Sequence, residues 1–288
     1  MTAATTQQES MTGPARYSWQ RNDIECKFGV RGGRFTRVNS FMWMIVALVL
    51  TVIVYAGMSF FPKSYVVQFF TERGPTQYLA VFFGFWALLI LMAKTFKIRA
   101  QQSATQFTDL VPVSSDFVLS TATVGLVLAK LRNACDDPSK FLLFNRIEIG
   151  LSNLKNMGQI TDVEGVFHSQ ASNDEDMMES SYSMVKGLIW AIPVLGFIGT
   201  VLGLGAAIGE FGGVLADAQD LAQIKPALQR VTSGLSTAFD TTMLSLCIAL
   251  SVQMILTVVR KNEEEMMDEC KEFIQRNVIS RLRITRLD

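Results

Sequence analysis

The chain has 288 residues and a mass of 32.0 kDa, with 49% hydrophobic and 18% charged residues, and 26 Lys/Arg balance 26 Asp/Glu. Soluble domains carry about 25% charged residues. The shortfall and the mean hydropathy of +0.28 exclude a soluble enzyme and a secreted disulfide scaffold. Zero net charge gives no pull toward nucleic acid.

The apolar residues are gathered into four charge-free stretches, 38–62, 74–93, 187–209 and 241–259, of 25, 20, 23 and 19 residues. A helix needs about 20 apolar residues to cross the hydrocarbon core. The fold class is therefore an all-α integral membrane protein with four transmembrane helices. The chain divides into an N-terminal segment (1–37), helix 1 (38–62), an outer loop (63–76), helix 2 (77–93), a helical cytoplasmic domain (94–186), helix 3 (187–209), an outer loop leading into a helix (210–240), helix 4 (241–259) and a cytoplasmic C-terminal helix (260–288).

Residues 1–13 are polar and poor in aromatics, and read as disordered. The first apolar run follows the basic cluster Arg31, Arg34 and Arg37, and no small-residue cleavage pattern closes it, so it is a retained helix and not a signal peptide. Orientation follows from the basic residues. Segments 1–37, 94–186 and 260–288 hold six, nine and seven Lys/Arg, whereas 63–73 and 210–240 hold two each. Both termini and the middle segment are expected in the cytoplasm. Trp190 suits an interfacial belt, while Tyr55 sits deeper.

The first two spans are bulky, with Phe41, Trp43, Ile45, Leu48 and Leu50 in one and Phe82, Phe83, Phe85, Trp86 and Leu88 in the other. Such helices suit lipid contact. In the middle segment, Val118, Ala122, Leu126 and Ala129 mark one helix, broken at Asp136-Asp137-Pro138. Leu142, Phe144, Ile147, Ile149, Leu151 and Leu154 mark a second. A polar stretch at 169–176 follows, and 177–186 is expected to run into the third span. This is too small and too helical for a catalytic domain and reads as a collar. After the fourth span, Met266, Cys270, Phe273, Ile274 and Val278 make one apolar face on an otherwise charged helix.

The third and fourth spans carry the information. Pro193 permits a kink, and Gly196, Gly199, Thr200, Gly203 and Ala207 recur at three- and four-residue steps, letting a neighbouring backbone approach closely. Gly234, Ala238, Thr241, Thr242, Ser245, Ala249 and Gln253 form a matching stripe. Hydroxyls there can bond their own helix carbonyls; two facing stripes also suit a narrow hydrated path or a close interface with a polar partner helix.

None of the four stretches contains Asp, Glu, Lys, Arg or His, although proton carriers use such a group. The nearest are Glu210 and Asp240, and Asp240 reads equally as a helix-end pair or as part of an ion path. A carboxylate on the path would then come from another chain. Four scattered cysteines without CxxC spacing and a single His168 argue against a zinc centre or a Cys–His nucleophile. No catalytic residue, cofactor or metal is expected.

The run from Ile192 through Pro193, Gly196, Gly199, Thr200 and Val201 to Gly203 resembles the G-x-x-G-T-V-x-G signature of the MotA/TolQ/ExbB proton-channel family. The run from Gly234 through Ala238 and Asp240 to Thr241 and Thr242 resembles its second motif. The wording is closer to TolQ/ExbB, whereas four spans match MotA. The resemblance implies a subunit of a motor driven by the proton-motive force, in which five such chains surround a dimer of a single-span MotB/TolR/ExbD-like partner carrying a membrane Asp. It implies a bacterial inner-membrane location, H⁺ or Na⁺ as the transported ion, and Thr200 and Thr242 as pore threonines, with Thr241, Asp240 and Ser245 beside them. Pro193, Gly196, Gly199, Gly203, Ala238 and Ala249 would pack the helices and line the pore. Thr237 stands where many relatives carry a Glu. The alternative is a non-conducting membrane scaffold that assembles a partner complex. A self-sufficient transporter is disfavoured, because there is neither an intramembrane charge nor an inverted repeat.

Overall fold

A computed structural model describes residues 17–27, 29, 32–71, 74–105, 118–120, 123–152, 154, 159–217 and 221–283. The expectations for 1–13, Arg31 and Ala122 fall outside them. Ten helices are present among the described residues, with no strand: α1 (Trp19–Asn22), α2 (Ile24–Lys27), α3 (Ser40–Met58), α4 (Tyr65–Thr71), α5 (Pro75–Thr105), α6 (Val124–Ala134), α7 (Leu142–Ser152), α8 (Ile160–Ser181), α9 (Ser183–Asp217) and α10 (Leu221–Asn277). Four of the helical runs are long and apolar enough to cross a membrane. The chain forms two compact units: a polar one of Met1–Val38, Lys94–Ser180 and Lys261–Asp288, and an apolar one of Asn39–Ala93 and Ser181–Arg260.

In the apolar unit, α3 begins where the Asn39 side chain accepts from the backbone N–H groups of Phe41 and Met42, which satisfies donors a helix start leaves open. Only Trp43, Ala47 and Thr51, spaced four apart, are buried on α3. Phe41, Leu48, Val52 and Ile53 stay exposed, as a lipid-facing helix requires. The second bulky helix departs from its expectation. Ala80, Val81, Trp86, Ala87, Ile90 and Leu91 of α5 are buried, so it is a central helix of the unit. Its small residues explain this. Gly84 lies so close to α10 that a β-carbon there would sit 2.6 Å from Ile248 Cγ2, and Ala80 packs with Ile192 and Ala249. The Trp86 indole N–H donates to Ser40 O at 3.0 Å, joining α5 to the start of α3. The Tyr55 and Tyr78 rings meet at a tilt of 58° with centroids 4.6 Å apart, and Trp190 is exposed.

Segment 210–240, expected as an outer loop leading into a helix, is almost wholly helical. The third helix continues through Asp217 and the fourth begins at Leu221. Charge-free length marks what lipid must cover, not where backbone hydrogen bonding stops. The polar stretch 169–176 is likewise helical, inside α8. Val163, Phe167, Ala171, Asp174 and Met178 are buried there at three- and four-residue steps, so a single buried stripe holds a mostly polar helix.

The polar unit is held at its ends by backbone bonds. Tyr17 N–H donates to Ala134 O at 3.0 Å, and Leu119 and Arg281–Arg283 exchange two bonds of 2.9 Å. Asp136 accepts from the Ser18 hydroxyl and the Trp19 N–H, both at 2.9 Å, fastening the start of α1. Met266, Cys270, Ile274 and Val278 are buried in this unit and Phe273 is partly so, as the stripe predicts.

Burial pushes both the Cys135 and the Cys270 thiols up to about 12, with nearby carboxylates adding to the effect at Cys135. A raised value keeps the sulfur protonated, and only the thiolate reacts. At pH 8 both will alkylate about a thousandfold more slowly than an ordinary thiol near 8.5. Peptide mapping after maleimide treatment of the native chain should leave both unmodified and find both modified after unfolding.

A threonine seam between two antiparallel helices

The third and fourth long helices pack antiparallel along their small residues. A β-carbon on Gly196 would lie 2.7 Å from Ser245 Cβ and 3.2 Å from Thr242 Cα. One on Gly199 would lie 2.5 Å from Thr76 Oγ1 and 3.4 Å from Thr241 Oγ1. One on Gly203 would lie 3.6 Å from Ala238 Cβ, and one on Gly234 2.5 Å from Ala207 Cβ. Numbers rise along one helix as they fall along the other. Real β-carbons do not approach to 2.7 Å, so Gly196 and Gly234 are the points of closest backbone approach.

Where the helices meet, Thr200 and Thr242 hydrogen-bond hydroxyl to hydroxyl. Each also reaches the carbonyl four residues back on its own helix and the equivalent carbonyl across the seam. Thr200 Oγ1 lies 3.1 Å from both Gly196 O and Ala238 O, and Thr242 Oγ1 lies 3.1 Å from Gly196 O and 3.4 Å from Ala238 O. Two protons are thus shared among four acceptors. When Thr200 donates to Thr242, the Thr242 proton goes to a carbonyl, and the opposite order is equally available by rotating two hydroxyls. Neither residue is fully buried, so the pair lies at an edge of the seam and keeps lone pairs for a further donor.

The other expected residues divide. Thr241 is buried and its hydroxyl bonds its own helix, at 3.0 Å to Thr237 O and 2.8 Å to Ala238 O. Ser245 is buried against Gly196, and Ala249 lies in the cluster with Ala80 and Ile192. Pro193 is half-buried inside a helix that continues past it. Asp240 is half-buried. Lying two residues before Thr242, it points about 200° away around the helix and does not join the pair. Gln253, expected on the stripe, is exposed; Val252, Leu256 and Val259 take the buried positions, and the face drifts as a 3.6-residue period requires.

Two buried polar residues were not singled out by the spacing. Thr76 places its hydroxyl against Gly199, and Gln77 is 3% exposed, with its amide nitrogen donating to Phe69 O at 2.6 Å. They follow Pro75 at a helix start, where polar residues carry no special signal.

The seam makes a sharp contrast among glycines. Gly196→Ala should destabilise by about 1–3 kcal/mol, the usual cost of overpacking, because its neighbours include α10 backbone. Gly203→Ala meets only ordinary contacts and gains about 1 kcal/mol of helix propensity. Melting of the two variants in detergent should move in opposite directions. Equal shifts would show that the close approach at Gly196 is not real.

The MotA/TolQ/ExbB proton channel family model matches residues 142–272, which contain the whole of this seam from Gly196 to Ser245. No curated protein and no solved structure matches the chain. Over residues 142–272, then, the chain is similar to the MotA/TolQ/ExbB proton channel family.

Proposed function

We propose that this chain is the ion-conducting subunit, for protons, of an inner-membrane motor that uses the proton-motive force to drive a single-span MotB/TolR/ExbD-like partner. The observation that carries this is the Thr200–Thr242 pair, two hydroxyls bonded to each other at the edge of a seam that lies within the match to a family of proton channels. A hydroxyl pair can hand a proton along by rotation but cannot store charge, so a titrating carboxylate must sit beside it. None of the four charge-free stretches has one. In this reading a partner Asp supplies it, five copies of this chain surround a partner dimer, and both termini face the cytoplasm.

A partner carboxylate facing Thr200 and Thr242 would meet hydroxyls in place of water. Those hydroxyls donate to it when it is charged and accept from it when it is protonated. It can then load from one side and release to the other. Each proton crossing 100 mV releases about 2.3 kcal/mol, so a mechanical step that costs more needs several protons. The reading is tested by proton flux into vesicles holding this chain alone, the partner alone, and both. Flux in the combined vesicles only is expected. Combined vesicles with no flux beyond that of either chain alone, under an imposed potential, favour the scaffold.

A further inference from the structure

The connection between α3 and α5 lacks the character of a loop in water. No charged residue stands in 38–62 or in 64–71, and Lys63 alone separates the two runs. Phe60 and Phe61, just past the end of α3, are 80% and 71% exposed, and Phe60 is the most exposed large apolar side chain among the described residues. On α3 the exposed positions Phe41, Ile45, Leu48, Val52 and Ala56 follow one another at three- or four-residue steps, and Phe60 is the next in that series. The two phenylalanines therefore continue the face that α3 turns to lipid.

The hydrogen bonds of the connection give a second, independent indication. A segment in water can leave its polar backbone groups to solvent, whereas a segment in lipid must satisfy them itself. The N–H groups of Phe60, Phe61, Ser64 and Gln68 donate to Gly57 O, Met58 O, Phe61 O and Ser64 O at 3.0–3.3 Å. The Ser59 hydroxyl donates to Ala56 O at 2.6 Å, and the Thr71 hydroxyl to Val67 O at 2.8 Å. The last carbonyls of a short helix have no partner within it. At the end of α4 they are taken by side chains of α5: the Gln77 amide donates to Phe69 O at 2.6 Å, and the Tyr78 hydroxyl to Thr71 O at 2.8 Å. Lys63 has a stem long enough to stay among apolar groups while its ammonium reaches the headgroups.

We infer that Phe60, Phe61 and α4 lie in the membrane, at the boundary between lipid headgroups and acyl chains, and anchor the α3–α5 hairpin there. The occupant of this face is phospholipid acyl chain. A packed helix fits it poorly, because apart from Ala56 the series is built of Phe, Ile, Leu and Val and lacks the glycine steps that bring α9 and α10 together. Proton conduction does not depend on this anchor.

The test is photo-cross-linking of the full chain in vesicles of phosphatidylcholine and phosphatidylglycerol. Benzoylphenylalanine keeps the aromatic ring of phenylalanine and reacts with neighbouring C–H bonds on irradiation. It is introduced singly as Phe60→benzoylphenylalanine or Phe61→benzoylphenylalanine. The same substitution at Leu48, exposed on α3, is the lipid reference, and at Asn173, exposed on α8, the water reference. Intact-mass measurement should show the addition of one phospholipid at Phe60 and at Phe61, in a yield comparable with Leu48, and none at Asn173. Should one of the two variants fail to fold, the other decides. A lipid adduct at Leu48 but at neither phenylalanine overturns the anchor and makes the connection an aqueous loop. A cross-link between two copies of the chain in place of lipid overturns it too, and makes this face an interface between copies.

Discussion

Thr200→Val and Thr242→Val will each reduce proton flux through vesicles of chain and partner by about 100-fold or more, the scale on which a positioned proton-transfer group contributes. The chain will nevertheless stay folded. Valine reproduces the shape of threonine, and the Gly196 and Ala238 carbonyls that lose a hydroxyl are the i−4 carbonyls of Thr200 and Thr242, acceptors within their own helices. Interhelical hydrogen bonds of this kind in membranes are worth only about 0.6 kcal/mol on average. Function and stability should therefore separate. Thr200→Ser and Thr242→Ser retain a rotating hydroxyl and should keep most of the flux. Thr241→Val supplies the contrast, because the Thr241 hydroxyl is spent on its own helix, and its flux should fall far less. If both valine variants conduct like the native complex, the hydroxyl pair is helix packing and the assignment of Thr200 and Thr242 fails.

What could be read in advance follows from how far apart the interacting residues lie. The four spans are visible because desolvating a charge is costly wherever it occurs, so the absence of charge over about 20 residues is a local signal. The two small-residue stripes are also local, each repeating on its own helix, and the match between them is what suggests that they face each other. The central place of α5 was hidden, because Ala80, Gly84 and Ala87 stand among Phe82, Phe83, Phe85 and Trp86. The bulky residues dominate a reading by size, yet the small ones decide which face another helix can approach. The same limit hid the buried charges. Arg146 and Asp174 are 28 residues apart, and Lys94 and Glu263 are 169 apart. No periodicity relates such pairs, so nothing in the spacing distinguishes these residues from solvated charges.

Glu263→Gln should be among the most destabilising single substitutions in the polar unit. Lys94 follows directly on a charge-free stretch and is wholly buried, and its ammonium lies 2.9 Å from a Glu263 carboxylate that is 1% exposed. The Thr36 hydroxyl donates to the other oxygen of the same carboxylate. Lys97, one turn on, is buried with Glu25 at 2.5 Å and Asp23 at 3.5 Å. Water cannot replace a lost partner in such a place. Removing one member of a buried pair costs about 3–5 kcal/mol, because the other charge stays buried without its counterion. For a domain of this size that lowers Tm by roughly 6–20 °C. The double variant Lys94→Met/Glu263→Met removes both charges and keeps the volume, and should regain most of the loss. Thermal scans of the two single variants and the double variant in one detergent decide the matter. A double variant no better than Glu263→Gln would mean that the pair is not isolated, and that the Asp23, Glu25 and Lys97 charges around it share its role.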